Sequence, residues 1–391
     1  MEKKVKVGII GCGTIADVYM TNLTQHYKNV ELVAVADLFV EKAQAAAEKF
    51  QIPKAYNVEE LLADPEICLV LDLTIPAAHY SVNKQILEAG KHCYCEKPLA
   101  LKFEEAKELA ELAAEKKLMC VSAPDTFLGA GIQQSKAVID SGEIGEPVGF
   151  TANMTCAGHD LWHPNPGFYY KAGGGPMFDM GPYYLTALVY LMGPIKKVSC
   201  FTASGRPVRN ILGVETRTEV PTTYTAIMEF VCGAIGTMTM SFDTWSTSLP
   251  MLEVYGTRGS VYAPDPDSYN GPVIVYDGEK LKNIVEAVTD PHPAKIIAMV
   301  TNQHSCQEEA KIEFPENPEH RANMRGLGVS GMAQAILDGR VSRMSTEISV
   351  HVVEALNAFE ESAKTGNSYI MQTSCEPTQP MGKDWDLWEV R

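Results

Sequence analysis

The feature that most constrains the fold is a glycine-rich turn between a predicted strand and a predicted helix near the start of the chain. The apolar, β-branched run 5–10 is typical of a buried strand, and the pattern over 14–26 is typical of a helix. Residues 11–16 between them read GCGTIA, so the chain turns at two glycines and enters the helix at once. A strand, a tight turn and a helix in this order open a βαβ unit, which belongs to a parallel sheet.

The same alternation of strand and helix continues through the first third of the 391-residue chain. Further strands are predicted at 31–36, 68–74, 92–95 and 118–122, and further helices at 41–50, 77–89 and 104–117. Five parallel strands joined by right-handed crossovers form a doubly wound α/β sheet. We therefore predict an N-terminal Rossmann domain over residues 1–123.

Beyond residue 123 the chain changes to longer segments that alternate apolar and polar residues, which is typical of antiparallel strands with one covered face. Such strands are predicted at 149–156, 198–203, 222–231, 234–242, 252–255 and 273–276, with helices at 132–139, 179–192, 328–338 and 347–364. We predict a C-terminal α+β domain over residues 124–391 with a mainly antiparallel open sheet. The uncovered sheet face suggests pairing between subunits, so we expect a homo-oligomer, either a dimer or a tetramer.

Composition argues against several other classes of protein. The chain has 33 Lys and Arg against 49 Asp and Glu, and its net charge of −16 disfavours binding to nucleic acid. No apolar run approaches the roughly 20 residues that span a bilayer, and glycines interrupt the apolar segment behind Lys3 and Lys4. The ten cysteines are scattered, which indicates reduced thiols. We expect a cytoplasmic protein without nucleic-acid or membrane partners.

The glycine turn has the features of a dinucleotide fingerprint. Glycines allow the backbone to approach a pyrophosphate closely, and the N-terminus of the following helix favours the phosphate charge. An acid is also needed to bind the ribose, and Asp37 ends the second predicted strand 24 residues after Gly13. A carboxylate bonds the free 2′-hydroxyl of NAD and repels the 2′-phosphate of NADP. We therefore expect NAD as the cofactor, although Lys42 lies one helical turn beyond Asp37.

Two later motifs connect this fingerprint with a known family. Glu96-Lys97-Pro98 follows the strand at 92–95, and residues 173–181 read GGGPMFDMG at the start of a second-domain helix. With the fingerprint they resemble the glucose–fructose oxidoreductase, inositol dehydrogenase and MocA (Gfo/Idh/MocA) family. The loop TIPAAH at 74–79 is similar to the family's TPNxxH, with the proline displaced by one position and the asparagine missing.

The resemblance implies hydride exchange between a nicotinamide and a secondary hydroxyl carbon of a sugar, polyol or glycoside. It also implies the residues that hold the cofactor. These are Gly11, Gly13, Thr14, Ile15, Asp37, Thr74, Pro76, His79, Glu96 and Lys97. Lys97 would contact both cofactor and substrate, and its position at the carboxyl end of a parallel strand agrees, because ligands bind such sheets there.

We expect the catalytic residues to be Lys97, Asp179 and Tyr183. Asp179 and Tyr183 lie at i and i+4 on one helix face, with Thr186 at i+7. Many family members have histidine at the position of Tyr183 and a second aspartate at that of Thr186. The usual base is therefore missing, and the sequence leaves open whether Tyr183 as a phenolate, Lys97 or His163 removes the hydroxyl proton.

The loop 158–171 is dense in aromatic and polar residues. Aromatic faces pack on sugar C–H groups and polar side chains bond hydroxyls, so the composition suits a sugar or polyol. The residues that we expect to bind substrate are Asp160, Trp162, His163, Asn165 and Tyr169. A rigid loop that only covers the domain interface is the alternative.

No metal site is expected. His159, Asp160 and His163 are spaced like metal ligands, but two prolines argue against a regular helix there. Cys93 and Cys95 lack a second pair that would complete a zinc spacing.

Three functions remain open from the sequence. The first is an NAD-dependent dehydrogenase that acts on sugars, polyols or glycosides. The second is a redox-neutral, glycoside-cleaving enzyme with tightly bound NAD, and the third is a noncatalytic NAD-binding regulator. The presence of both Lys97 and Asp179 favours an enzyme, because a sensor does not need a group that transfers protons.

Overall fold

The computed structural model describes residues 3–287, 292, 306–316, 323–376 and 378–383. Within them, two large sheets follow one another along the chain. The first is wholly parallel, and the second is mixed and mostly antiparallel. No helix in the described residues is long and apolar enough to cross a membrane.

The first sheet has six parallel strands in the order β3-β2-β1-β4-β5-β6. The strands are β1 Val5–Ile10, β2 Val30–Ala36, β3 Lys54–Tyr56, β4 Leu69–Asp72, β5 His92–Cys95 and β6 Cys120–Ser122. The helices between them are α1 Ala16–Gln25, α2 Val40–Phe50, α3 Val58–Ala63, α4 Pro76–Glu88 and α5 Phe103–Lys116. The strand order reverses between β1 and β4, and the carboxyl ends of these strands form the crevice in which such sheets bind ligands.

The predicted Rossmann sheet is confirmed, but the prediction of five strands was wrong by one. Strand β3 has only three residues, all of them half-buried at the sheet edge, so it shows no alternation that a pattern could reveal. The short helix α3 follows it. Asn57 and Glu60 form a capping box at its start, in which each side chain bonds the other residue's backbone N–H.

The second sheet has nine strands in the order β16-β15-β14-β13-β7-β12-β11-β8-β17, and of its pairings only β12 with β7 is parallel within the described residues. Its strands are β7 Pro147–Thr155, β8 Ile195–Ala203, β11 Thr223–Phe230, β12 Ile235–Ser241, β13 Leu252–Gly256, β14 Gly259–Ala263, β15 Ile274–Asp277, β16 Gln307–Glu309 and β17 Tyr369–Ile370. A separate hairpin pairs β9 Val208–Ile211 with β10 Val214–Arg217. The mainly antiparallel sheet is confirmed, although the sequence had not predicted β9, β10, β14, β16 and β17.

One face of the second sheet is covered by helices. The helices that follow the first sheet along the chain are α6 Ala130–Asp140, α7 Gly175–Met192, α8 Gly278–Glu286, α9 Leu327–Asp338 and α10 Thr346–Thr365. Helix α7 packs on β7, β11 and β12, whereas α10 contacts β8 on one side and α5 and β6 of the first sheet on the other. Helix α10 therefore joins the two sheets. The last strand of the first sheet ends at Ser122, and the domain boundary at residue 123 stays a prediction.

Helix α7 begins four residues earlier than predicted. It starts at Gly175 rather than at Asp179, with Pro176 in its first turn, where a missing backbone N–H costs nothing. The sequence favoured a later start because glycines and a proline usually mark a loop. The earlier start places Asp179 in the second turn of the helix, facing the end of β5.

Candidate active site

The glycine turn after β1 is shaped for a phosphate group. Gly11 has a φ of +102°, and a Cβ built on it would lie 2.7 Å from the carbonyl carbon and oxygen of Leu73. A Cβ on Gly13 would meet no heavy atom of the described residues within 4 Å, so the space above this residue is open among them. Helix α1 has no side-chain cap at Ile15, which leaves its first N–H groups available to an anion. The turn therefore fits the pyrophosphate of a dinucleotide.

Asp37 lies beside this turn, directly after β2. Its Oδ2 accepts a hydrogen bond from the Cys12 backbone N–H at 2.8 Å, and its Oδ1 accepts one from the Phe39 N–H at 3.0 Å. The carboxylate is thus fixed at the mouth of the turn, where a ribose would lie. The neighbouring Leu38 is 85% exposed and offers no cation for a 2′-phosphate. This arrangement fits NAD.

The loop after β4 is fixed from below by a buried histidine. His79 Nδ1 lies 2.7 Å from the Pro98 carbonyl oxygen, and its Nε2 lies 3.2 Å from that of Thr74. Thr74 donates to Asp72 Oδ1 from its backbone N–H at 2.9 Å and from its hydroxyl at 2.6 Å. His79 therefore ties the Thr74–Pro76 loop to the segment that carries Lys97, and it is fully buried beneath both. Its expected contact with the cofactor is indirect in this arrangement.

Asp72, His79 and Cys95 form a buried group whose potential metal-ligand atoms lie within 4.8 Å of one another. Both ring nitrogens of His79 already face carbonyl oxygens, as described above. Because both nitrogens of His79 are already occupied by these contacts, we do not propose a metal site there.

Lys97 and Asp179 form the centre of the site. The Lys97 ammonium lies 2.8 Å from Asp179 Oδ1 and 2.5 Å from the Asp179 carbonyl oxygen, and the two side chains are only 16% and 15% exposed. Glu96 positions the lysine from behind: its Oε2 accepts the Lys97 backbone N–H at 3.0 Å, and its Oε1 accepts the Tyr19 hydroxyl at 2.8 Å. The two family motifs, 82 residues apart, thus meet in one ion pair.

This pairing keeps both groups charged. Burial by itself would lower the pKa of Lys97, but the Asp179 carboxylate and the neighbouring Tyr183 raise it above the ordinary value. Burial would likewise raise the pKa of Asp179, but the Lys97 ammonium and the hydrogen bond from His159 lower it to about 2. Lys97 is therefore an ammonium and Asp179 a carboxylate near neutral pH.

The structure does not favour Tyr183 as a phenolate base. Its hydroxyl accepts a hydrogen bond from Arg325 Nη2 at 2.8 Å, whereas the Lys97 ammonium lies over its ring, 5.3 Å from the centroid. Burial raises the pKa of Tyr183 above its ordinary value, and the nearby cations of Lys97 and Arg325 do not offset this. The hypothesis that Lys97 would stabilise a phenolate here is therefore not carried further.

His159 joins the ion pair, and the sequence had considered it only as a metal ligand. Its Nε2 lies 3.0 Å from Asp179 Oδ2, so Asp179 bridges Lys97 and His159 through its two oxygens. Arg325 is a second residue that the sequence did not single out. Both residues come from segments that carry no motif. His159 is 20 residues from Asp179 in the sequence, and Arg325 is 142 residues from Tyr183.

Asp160 lies away from the ion pair. Its Oδ1 accepts a hydrogen bond from Arg209 Nη1 at 3.1 Å and a short one from the Tyr170 hydroxyl. The Arg209 side chain is 1% exposed and also pairs with Asp243 at 2.5 Å. A carboxylate engaged in this way holds the loop on the sheet, so we do not include Asp160 among the proposed substrate contacts.

The other expected substrate residues lie in the same loop as His159, which contacts Asp179. The Trp162 ring is 5.0 Å from that of His159 and is 66% exposed, and the Tyr169 ring is 4.4 Å from His159. His163 packs 5.2 Å from Tyr169, and its Nδ1 accepts the Asn165 backbone N–H at 3.0 Å. The loop therefore places aromatic faces and polar groups at the edge of the Lys97–Asp179 pair.

Two family models match the chain. One, described as "Oxidoreductase family, NAD-binding Rossmann fold", matches residues 5–123, and the other, described as "GFO/IDH/MocA C-terminal domain", matches residues 132–262.

Individual relatives agree with these matches. The scyllo-inositol 2-dehydrogenase (NAD(+)) of Bacillus subtilis is 28% identical over 67% of this chain and 74% of its own length. The trans-1,2-dihydrobenzene-1,2-diol dehydrogenase of Bos taurus is 28% identical over 66% of this chain and 74% of its own length. A solved structure of levoglucosan dehydrogenase in complex with NADH superposes with a TM-score of 0.76 at 19% identity, covering 95% of this chain and all (100%) of the other.

Proposed function

The chain belongs to the Gfo/Idh/MocA family of NAD-binding oxidoreductases, and from this premise we propose that it is an NAD-dependent dehydrogenase that oxidises a secondary hydroxyl group of a sugar, polyol or glycoside. The observation that carries this proposal is the buried Lys97–Asp179 pair at the carboxyl end of β5. It lies on the same edge of the sheet as the glycine turn.

Residues of the first domain would hold the cofactor along this edge. Gly11, Gly13, Thr14 and Ile15 would receive the pyrophosphate, and Asp37 the adenosine ribose. Thr74, Pro76, Glu96 and Lys97 would line the nicotinamide end. Bound NAD supplies the acceptor for the hydrogen that leaves the carbinol carbon.

Lys97 is our candidate for the group that exchanges the hydroxyl proton. Asp179 holds its ammonium in one position, and that ammonium is already the acid that carbonyl reduction requires. For alcohol oxidation Lys97 must first release one ammonium proton to solvent, to which its side chain is 16% exposed, and then accept the proton of the hydroxyl. Asp179 remains ionised throughout and fixes the direction of the Nζ lone pair.

Trp162, His163, Asn165 and Tyr169 are proposed to bind the substrate. The exposed Trp162 ring offers a flat apolar surface for sugar C–H groups, and Tyr169 and His163 offer polar atoms for hydroxyls. The relatives named above act on a polyol and on a cyclic diol, which supports a substrate with several ring hydroxyls.

A substrate panel tests the function. Purified protein is incubated with scyllo-inositol, myo-inositol, levoglucosan, D-glucose and an aryl glucoside, with NAD and NADP in separate series, while nicotinamide absorbance is followed. We expect reduction of NAD with at least one polyol or sugar, faster than that of NADP. Cleavage of the glucoside without net NADH would instead support the redox-neutral enzyme. Tight NAD binding without any conversion of these or related compounds would support the regulator.

We also propose that the protein is a homo-oligomer that pairs through the open face of its second sheet. This face exposes large apolar side chains: Phe201 is 81%, Ile227 58% and Ile235 56% exposed. Contiguous apolar surface of this kind usually marks an interface. Light scattering tests this proposal: we expect a dimer or tetramer that Phe201→Glu dissociates, and a monomeric wild type would contradict it.

A cytoplasmic location is proposed on the state of the cysteines. All ten cysteines are free thiols in the structure, and Cys93, Cys95 and Cys120 are buried in the first sheet. Thiols stay reduced in a reducing compartment. Fractionation of the native host tests this, and recovery outside the cytoplasm would contradict it.

A further inference from the structure

His159 lies against the catalytic pair in a nearly closed aromatic cage. Its side chain is 9% exposed, and its Nε2 lies 3.0 Å from Asp179 Oδ2. The rings of Tyr169 and Phe242 are each 4.4 Å from its own, and that of Trp162 is 5.0 Å away. Among the described residues, the imidazole therefore has one polar contact, the Asp179 carboxylate, and packs against three aromatic rings.

The two ring nitrogens of His159 have different surroundings. Its Nδ1 is buried and has no hydrogen-bond partner among the residues that the structure describes. Its Nε2 faces Asp179 Oδ2, and a carboxylate oxygen can only accept, so the proton in this contact is on Nε2. His159 is therefore a hydrogen-bond donor to Asp179.

We propose that His159 is a positioning residue that donates its Nε2–H to Asp179 and so fixes the carboxylate against Lys97. The proposal rests on the proposed dehydrogenase function. It assigns to His159 a role other than that of a proton acceptor, because the nitrogen that could accept a proton is sealed from the cleft.

The two oxygens of Asp179 show why this contact matters. Oδ1 is engaged by Lys97 and Oδ2 by His159, so the carboxylate can neither rotate nor tilt without losing one partner. Without His159, the buried Oδ2 would lose the hydrogen bond that it accepts at 3.0 Å. Asp179 would then be both less ordered and easier to protonate.

Other titratable groups also face Asp179. They are Tyr169, Cys156 and Asp267, in addition to Lys97 and His159. Burial raises the pKa of Asp267 to about 6, so this group titrates within the accessible range in wild type and variants alike. The ratio of variant to wild-type rate cancels that shared titration.

The test compares His159→Leu with His159→Gln, using the best substrate from the panel. Gln keeps a side-chain N–H donor that can reach Asp179, and Leu does not. We expect His159→Leu to lower kcat by about 10- to 100-fold, as loss of an orienting partner does at other sites, whereas His159→Gln stays within about 5-fold of wild type. The ratio of the Leu variant to wild type should fall further as the pH drops below 5, because loss of the His159 hydrogen bond raises the pKa of Asp179 from its wild-type value of about 2. A His159→Leu variant with wild-type kcat and a flat ratio would overturn the proposal.

His163→Leu is the matched control on the same loop. It removes an imidazole that contacts Tyr169 and not Asp179, so we expect a higher KM and a pH ratio that stays flat. If His163→Leu reproduces the pH effect of His159→Leu, the effect belongs to the loop and the proposal fails.

A crystallographic readout separates this proposal from the function itself. In His159→Leu the Asp179 carboxylate should leave Lys97, and in His159→Gln the 2.8 Å contact should remain. If the wild type turns over no substrate, the dehydrogenase function fails while these structures still test the contact. An undisturbed Lys97–Asp179 pair in the Leu variant would show that His159 does not position it.

Discussion

The cofactor edge and the chemical centre lie on the same side of the first sheet but are built in different ways. The part of the cofactor edge proposed to hold the pyrophosphate and the adenosine ribose uses a turn, the start of one helix and the end of one strand, all within residues 5–39. The chemical centre uses side chains from β5, the loop after β7, helix α7 and the segment before α9. The first depends on backbone conformation and the second on side-chain distances.

This difference predicts how each region fails. A backbone turn is disturbed by any side chain that does not fit, whatever its chemistry. A cluster of charged side chains tolerates changes of shape but not the loss of one partner, because the others are then left buried and unpaired. The two regions should therefore be separable by mutation.

The largest effect is expected from Lys97→Met. This variant should lose about 10²- to 10⁴-fold in turnover, the usual contribution of a positioned proton-transfer group, while calorimetry shows NAD affinity close to wild type. The double variant Lys97→Met with Asp179→Asn controls for the buried carboxylate that Lys97→Met leaves without its cation. Loss of NAD binding in a folded double variant would break the separation of the two regions.

A pair of glycine variants should disturb NAD binding through the turn without changing the Lys97–Asp179 centre. In Gly13→Ala the new methyl group enters open space, so the protein should unfold at the wild-type temperature but bind NAD more weakly. The obstruction should cost about 1–3 kcal/mol, or roughly 5- to 150-fold in Kd.

Gly11→Ala is the contrasting variant. Its methyl group would clash with the Leu73 carbonyl at a positive φ, so it should lower both the unfolding temperature and NAD affinity. Equal unfolding temperatures for the two variants would show that the turn is not held against Leu73.

Asp160→Asn divides the substrate loop into scaffold and contact residues. It removes the carboxylate that pairs with the buried Arg209, so denaturant unfolding should show a loss of about 2 kcal/mol. Well below its unfolding temperature, KM should match wild type. A raised KM with normal stability would return Asp160 to the substrate site.

The smallest effect is expected from Tyr183→Phe. The ring that packs under Lys97 is kept, and only the hydroxyl that Arg325 engages is lost. We expect kcat within about 10-fold of wild type, which is well below the roughly 10²- to 10⁴-fold loss expected when a proton-transfer group is removed, and an unchanged pH profile. A loss comparable to that of Lys97→Met would revive Tyr183 as the base.

Much of the first domain could be predicted from sequence because its signals are local. The strand before Gly11, the acid at 37 and the lysine at 97 each stand at a fixed place relative to their own element, and the structure places Gly11, Asp37 and Lys97 along one sheet edge. The edge strand β3 was not predicted, because its three half-buried residues show no alternation of apolar and polar side chains.

The second domain was harder because its sheet is assembled from distant segments. The alternation of apolar and polar residues predicted the main strands. The strands at 208–211, 214–217 and 259–263 are too short to show a recognisable alternation. The same reason applies to the site: Asp160 and His159 are neighbours in one loop, yet His159 contacts Asp179 whereas Asp160 pairs with Arg209, and the composition of the loop does not show this difference.

The sequence by itself determined the order of the main helices and strands, the nucleotide turn and the family, because these depend on residues close together in the chain. Only the tertiary structure decided what each charged side chain does. Asp160 is neutralised by Arg209, the Tyr183 hydroxyl is held by Arg325, and Asp179 is shared by Lys97 and His159. The chemistry of a buried charge is set by the group within about 3 Å of it, and in this protein that group comes from a segment that no local pattern connects with its partner.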